Sequence, residues 1–379
     1  MAELSLKKKL LFAGTASLVA AAAVLLAGEC YVRLFSRHGH MDWESYRARN
    51  LQYEAGLFSR YNIVRREQNL KTGSGKLYHI NSKGYRGHDF EAVKPPGKIR
   101  IMIYGGSTAF DSEETQGKDW PSLLENFLHD KGYPNAEVIN AGVPGSASFD
   151  ALGRFFGEGH LFAPDYVIFY GIWNDLKYFN TSIPVLRFHV PLPEDDPIST
   201  PRNRLDKFLG NHSQLYFRLR IRYGYWKYRV GPEGMMPRVM EKSSEISPLA
   251  LKQYKLTLLM FVDLAQNIGA VPMLVTEATL INPRNTEEQK KRILDYTALT
   301  HQGLCLGYQK CREVTREVAA AKQVPLIDAG AVMDGIDELF ADHVHLSEKG
   351  SQMLAGMVGE ELIKLIESKK SAPPRSSNP

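Results

Sequence analysis

Four short clusters in this 379-residue chain carry side chains suited to nucleophilic chemistry. Gly105-Gly106-Ser107-Thr108 places a hydroxyl directly after two glycines, where a sharp turn can leave it exposed at a sheet edge. The same residues would also serve as a plain strand-to-helix turn with Ser107 as N-cap. Asn140-Ala141-Gly142 ends in a residue whose backbone N–H a ligand can approach closely, a use that competes with ordinary loop punctuation. In Gly171-Ile172-Trp173-Asn174-Asp175 the Asn174 amide could face a developing oxyanion, while Asn174 or Asp175 could equally cap a turn. Asp342-His343-Val344-His345 sets a carboxylate three residues before an imidazole, so one ring nitrogen can be held while the other acts as general base. His343 stands only one residue from that carboxylate and suits the role less. The two histidines could instead ligate a metal, but no third and fourth ligand accompany them, so neither metal nor cofactor is expected. Gly73-Ser74-Gly75-Lys76 is not a phosphate loop, because Leu70 and Leu77 occupy positions that need Gly and Ser or Thr.

Elements that could hold these clusters can be read around them. Short apolar runs at 101–104, 136–140, 165–170, 271–276 and 324–328 read as strands, and helical patterns cover roughly 119–131, 147–160, 248–268, 286–322 and 347–367. Apolar strands alternating with helices predict an α/β fold whose parallel sheet is covered on both faces. Chemistry in such sheets gathers at the carboxyl ends of the strands. The Ser107, Gly142 and Asn174 clusters each follow one of the first three.

The ends of the chain are different. Lys7, Lys8 and Lys9 precede an uncharged stretch from Leu10 to Gly28, close to the length that crosses a bilayer as a helix. A cleaved secretory signal would need small residues before a polar start, and Leu25 to Cys30 supplies no clean pair, with Glu29 intruding. The segment therefore reads as a transmembrane signal-anchor over 10–28, behind a cytoplasmic tail of residues 1–9. Arg33, Arg37, Arg47 and Arg49 nearly balance the three lysines, so the short amino tail decides the orientation, with the main domain extracytoplasmic, periplasmic or extracellular. Residues 29–96 read as a juxtamembrane stalk and lead-in, 97–368 as the catalytic domain, and 369–379 as a disordered tail.

An insertion at 180–245 breaks the alternation. It begins Pro-rich, then carries eight Lys and Arg against the single acid Asp206 between Pro201 and Arg229, interleaved with Tyr216, Phe217, Tyr223, Tyr225, Trp226 and Tyr228. A lid, a membrane-surface patch, an anionic-polymer face or a plain solvated helix would all use this composition. No recognition motif accompanies the charge, and the net +5 is spread over the whole chain, so nucleic acid is not an expected partner. Three cysteines exclude a disulfide-built scaffold; Cys305 and Cys311 could pair only if a helix breaks near Gly307.

In order and placement, the Gly-Ser turn, N-x-G, G-x-N-D and D-x-x-H blocks resemble the SGNH/GDSL hydrolase family over roughly residues 78–367, the insertion apart. His79-Ile80-Asn81-Ser82-Lys83-Gly84-Tyr85-Arg86-Gly87 looks like the lead-in of membrane-anchored bacterial members. The resemblance implies a three-layer α/β/α sandwich with a mainly parallel five-stranded, flavodoxin-like sheet. It implies Ser107 as nucleophile, His345 as general base and Asp342 as the residue orienting that base. The oxyanion hole would be the N–H groups of Ser107 and Gly142 with the Asn174 side chain. Gly106 departs from the Asp that often precedes the family's nucleophile, which shifts the subfamily. The implied activity is a serine esterase removing acyl groups, acetyl among them, from a glycan or lipid through an acyl-serine. Acyl transfer to an envelope polysaccharide would use the same residues, and a catalytically silent envelope scaffold is the reading of another class.

Overall fold

Five apolar runs pair into one parallel sheet in a computed structural model that describes residues 6–35, 41–43, 53–55, 62–64, 68–71, 75–180, 198, 201–228, 242–293 and 297–371. In chain order the elements are α1 (Leu6–Phe35), β1 (Tyr53–Ala55), β2 (Asn62–Val64), β3 (Gln68–Lys71), β4 (Leu77–Ile80), β5 (Ile99–Gly105), α2 (Ser107–Phe110), α3 (Trp120–Asp130), β6 (Ala136–Asn140), α4 (Ser148–Gly157), β7 (Tyr166–Tyr170), α5 (Arg204–His212) and α6 (Gln214–Tyr228). They continue with α7 (Pro248–Asn267), β8 (Val271–Val275), α8 (Glu287–Lys291), α9 (His301–Lys322), β9 (Leu326–Ile327), α10 (Ala329–Met333) and α11 (Glu348–Ser371). Two compact units result: residues 1–52 with 190–239, and residues 53–189 with 240–379.

The larger unit holds the sheet, in the order β6-β5-β7-β8-β9 with every pair parallel. Strand side chains alternate between faces. Met102, Tyr104, Val167, Phe169 and Leu274 enter one core with residues of α4, α7 and α9. Ile101, Ile103, Tyr166, Ile168, Tyr170 and Met273 enter the other with residues of α3 and α11. Two faces buried under helices make a three-layer α/β/α sandwich. Helix starts are fixed by side-chain caps: Asp119 on Ser122 N, Ser247 on Ala250 N and Thr300 on Gly303 N.

In the smaller unit, α1 contains the stretch Phe12–Phe35, which is long and apolar enough to cross a membrane. Glu29 at its far end accepts hydrogen bonds from the Ser213 hydroxyl and from the backbone N–H groups of Gln214 and Leu215, the first residues of α6. Asp206 takes the Tyr216 hydroxyl and the Arg220 guanidinium, folding α5 onto α6. Trp43 sits on Gly210, where a Cβ would fall 2.2 Å from Nε1, and meets Phe217 edge to face.

Several expectations are revised. Of residues 29–96, expected as a stalk and lead-in, those up to Phe35 continue α1, and those from Tyr53 belong to the larger unit, with Ile80, Asn81, Tyr85 and Arg86 buried there. The helical run expected over 286–322 divides into α8 and α9, because Leu299 forms a bridge with Ser243 and Thr300 starts a new helix. Helix α9 is unbroken at Gly307, whose missing Cβ lets Leu176 approach, and Cys305 and Cys311 are free thiols. The Pro-rich run 183–197 and the tail beyond Ser371 lie outside the described residues, as does most of the 1–9 tail.

Candidate active site

Strands β5 and β7 lie side by side, while the connections that follow them lead to β6 on one side and β8 on the other. That reversal opens a crevice at the carboxyl ends of the two strands. The turn after β5 fills its edge. A Cβ on Gly105 would lie 1.9 Å from the Tyr170 carbonyl, and one on Gly106 would lie 2.4 Å from Asn174 Nδ2 and 2.8 Å from the Ser146 carbonyl. Only glycine fits either place, which explains why no aspartate precedes Ser107 here. Ser107 begins α2, so its N–H is one of those a helix start leaves without an intrahelical partner.

From the other end of the chain, the loop before α11 brings in the imidazole. Asp342 Oδ1 accepts the backbone N–H groups of Val344 and His345, both at 2.8 Å, curling the loop on itself. The Arg292 guanidinium holds the Phe340 and Asp342 carbonyls. His345 Nδ1 then lies 2.6 Å from Asp342 Oδ2, and Nε2 lies 2.8 Å from Ser107 Oγ. A proton on Nδ1, facing the carboxylate, leaves Nε2 to accept from the hydroxyl.

The charges follow this geometry. Burial would push the His345 imidazole down, but the hydrogen bond and charge of Asp342 more than reverse it, so its pKa is raised above the ordinary 6.5. Burial would likewise raise Asp342, yet the His345 hydrogen bond and the adjacent imidazoles hold it well below the ordinary carboxylate range. His343 is fully buried edge-on to Trp173, and burial lowers it to about 4, so at neutral pH it is uncharged. Its ring nitrogens make no hydrogen bond among the described residues.

The other expected donors are placed unequally. Asn174 Nδ2 reaches the Ser146 carbonyl at 3.0 Å beside Gly106, and an amide nitrogen carries a second hydrogen. The Gly142 N–H is taken by Asn140 Oδ1 at 3.1 Å, and its Cα packs against the Ala109–Phe110 backbone of α2. Ser107, His345, Asp342 and Asn174 are therefore assembled around the turn, whereas Gly142 has its N–H turned to a neighbour.

Two buried residues behind the site had not been singled out by sequence for this role. Glu277 follows β8 and accepts from Thr108 Oγ1 at 3.0 Å, Ile172 N at 2.6 Å, Trp173 N at 3.1 Å and the Tyr308 hydroxyl at 2.8 Å. It thereby joins the residue after Ser107 to the two before Asn174, and burial raises its pKa. Its signal was a carboxylate directly after an apolar strand, where chemistry gathers. Arg86, in the lead-in, donates to the carbonyls of Phe110, Asp111 and Glu114 and so fixes the exit from α2.

The family model of GDSL-like lipase/acylhydrolases matches residues 81–357. Among solved structures, the lipase/acylhydrolase of Enterococcus faecalis is 17% identical, covering 70% of this chain and 95% of its own, with a TM-score of 0.42. A catalytic mutant of the acetylxylan esterase Axe2 from Geobacillus stearothermophilus is 14% identical, covering 71% and 96%, with a TM-score of 0.42. No curated protein matches.

Proposed function

The chain belongs to the GDSL-like lipase/acylhydrolase family and is a serine hydrolase, and from that premise we propose that Ser107, His345 and Asp342 are its nucleophile, general base and orienting carboxylate. The observation that carries this reading is the unbroken hydrogen-bonded line from hydroxyl through imidazole to carboxylate. Ser107 Oγ attacks the ester carbonyl carbon as its proton passes to His345 Nε2. The negative charge moves to the carbonyl oxygen, which the Ser107 N–H and the Asn174 amide stabilise. His345 then returns the proton to the leaving alcohol, giving an acyl-serine. Water, deprotonated by the same imidazole, hydrolyses that ester and frees the acid. A Gly142 contribution would require its N–H to leave Asn140.

The enzyme is anchored in a membrane by α1, with its larger unit on the extracytoplasmic side, and it removes acyl groups, acetyl among them, from a glycan or lipid. The apolar length of α1 supports the anchoring. A fluorophosphonate should label the detergent-solubilised chain at Ser107 and leave Ser107→Ala unlabelled, with ester turnover lost in parallel. Turnover retained by Ser107→Ala would overturn the mechanism. Adding a sugar acceptor to the same assay separates hydrolysis from acyl transfer by its product.

A further inference from the structure

Helices α5 and α6 each expose large apolar side chains. Leu205 and Phe208 are exposed on α5, and Leu219, Tyr223 and Trp226 are exposed on α6 at spacings that align along one side. Arg204, Lys207, Arg222 and Lys227 are exposed among them, and Asp206, the one acid of this stretch, is buried in holding the two helices together. An apolar and aromatic stripe edged by cations is the composition of a helix lying in a bilayer interface.

Contacts with α1 indicate where this face is held. The carbonyl of His212 accepts from Arg33, the three groups that open α6 meet Glu29, and Leu215 packs against Gly28 with 3.0 Å to its missing Cβ. Moving forward along α6 therefore moves backward along α1, from Arg33 towards its uncharged stretch. Helix α6 leaves the clasp heading for the end of the apolar segment, and Trp226 lies eleven residues beyond Leu215, about 16 Å at the helical rise. Residues 12–27 of α1 are exposed, so the two helices diverge there and do not form a second span. Long Arg and Lys stems can reach the phosphate layer while the rings lie below it.

We propose that the α5–α6 hairpin docks into the headgroup layer of an anionic phospholipid bilayer, set at that depth by the Glu29 clasp. This rests on the anchoring role given to α1. Trp226 reports it cleanly: it is 74% exposed, and the other three tryptophans, Trp43, Trp120 and Trp173, are buried. The full chain is reconstituted in phosphatidylglycerol–phosphatidylcholine vesicles containing lipids brominated near the headgroup, and the emission lost in Trp226→Phe is assigned to Trp226. Brominated lipid should quench most of that emission, more strongly with phosphatidylglycerol than with phosphatidylcholine alone. Glu29→Ala should reduce the quenching while the chain still floats with the vesicles. A floating chain whose Trp226 answers only to aqueous iodide, or is shielded by an added anionic polysaccharide instead, overturns the proposal. Quenching that ignores lipid charge overturns its electrostatic part. A chain that does not float at all removes the anchoring role first, so the two failures are distinct.

Discussion

At the scale of single residues, the proposed mechanism depends on how Asp342 and Asn174 serve the Ser107–His345 pair. His345 acts as a base only when neutral, and its pKa is raised, so kcat/KM for a simple ester should fall on the acid side with a midpoint above the ordinary 6.5. Asp342→Asn removes the partner that raises it; the midpoint should move down while the maximal rate collapses, which a pH–rate profile of both proteins measures. Asn174→Ala should lower kcat by about 10²–10³, the usual cost of one oxyanion donor, with little change in Tm. Ser107, His345 and Asp342 were legible because each lies in a local pattern with a chemical meaning. Glu277 was not, since its four donors come from Thr108, Ile172, Trp173 and Tyr308, which no local spacing connects. Gly142 was expected to offer a free N–H; the chain spends it two residues away on Asn140.

At the scale of elements, the turn between β5 and α2 is the tightest point in the site. Gly106→Ala would place a methyl 2.4 Å from Asn174 Nδ2 and 2.8 Å from the Ser146 carbonyl. Both must move, so the variant should lose most of its kcat, with a modest fall in Tm, as paired kinetics and thermal melts would show. The five strands of the sheet were readable because buried parallel strands are short, apolar and bounded by turn residues. Their boundaries shifted by a residue or two, as β9 illustrates: only Leu326–Ile327 of 324–328 pairs. The division of 286–322 could not be read, because the local sequence stays compatible with helix while the interruption is imposed from Ser243, far upstream. Helix α1 outran its expected end for a similar reason. Glu29 and Arg33 are awkward in an apolar span but form an ion pair one turn apart and hold the start of α6.

At the scale of the whole molecule, the two-unit division was invisible in the sequence, since Glu29 and Ser213 are 184 residues apart. The larger unit nevertheless contains all the proposed catalytic groups. Its chain leaves and re-enters at one place. The Asn180 side chain and the Ser243 N–H both reach the Ala298 carbonyl, at 2.8 Å and 3.1 Å, Thr300 N–H returns to the Ser243 carbonyl, and Ser247 N–H binds the Phe179 carbonyl. Replacing residues 181–241 by a short Gly-Ser linker should therefore preserve fluorophosphonate labelling of Ser107 and cleavage of a small soluble ester, because closing a loop whose ends already meet depends only weakly on its length. Loss of both in a protein with an unchanged melting profile would contradict this. A detour with a single doorway has an evolutionary meaning too: descendants of such a gene can shorten, lengthen or trade that excursion wholesale without re-registering one strand, so what the detour does and what the sheet does are free to be inherited separately.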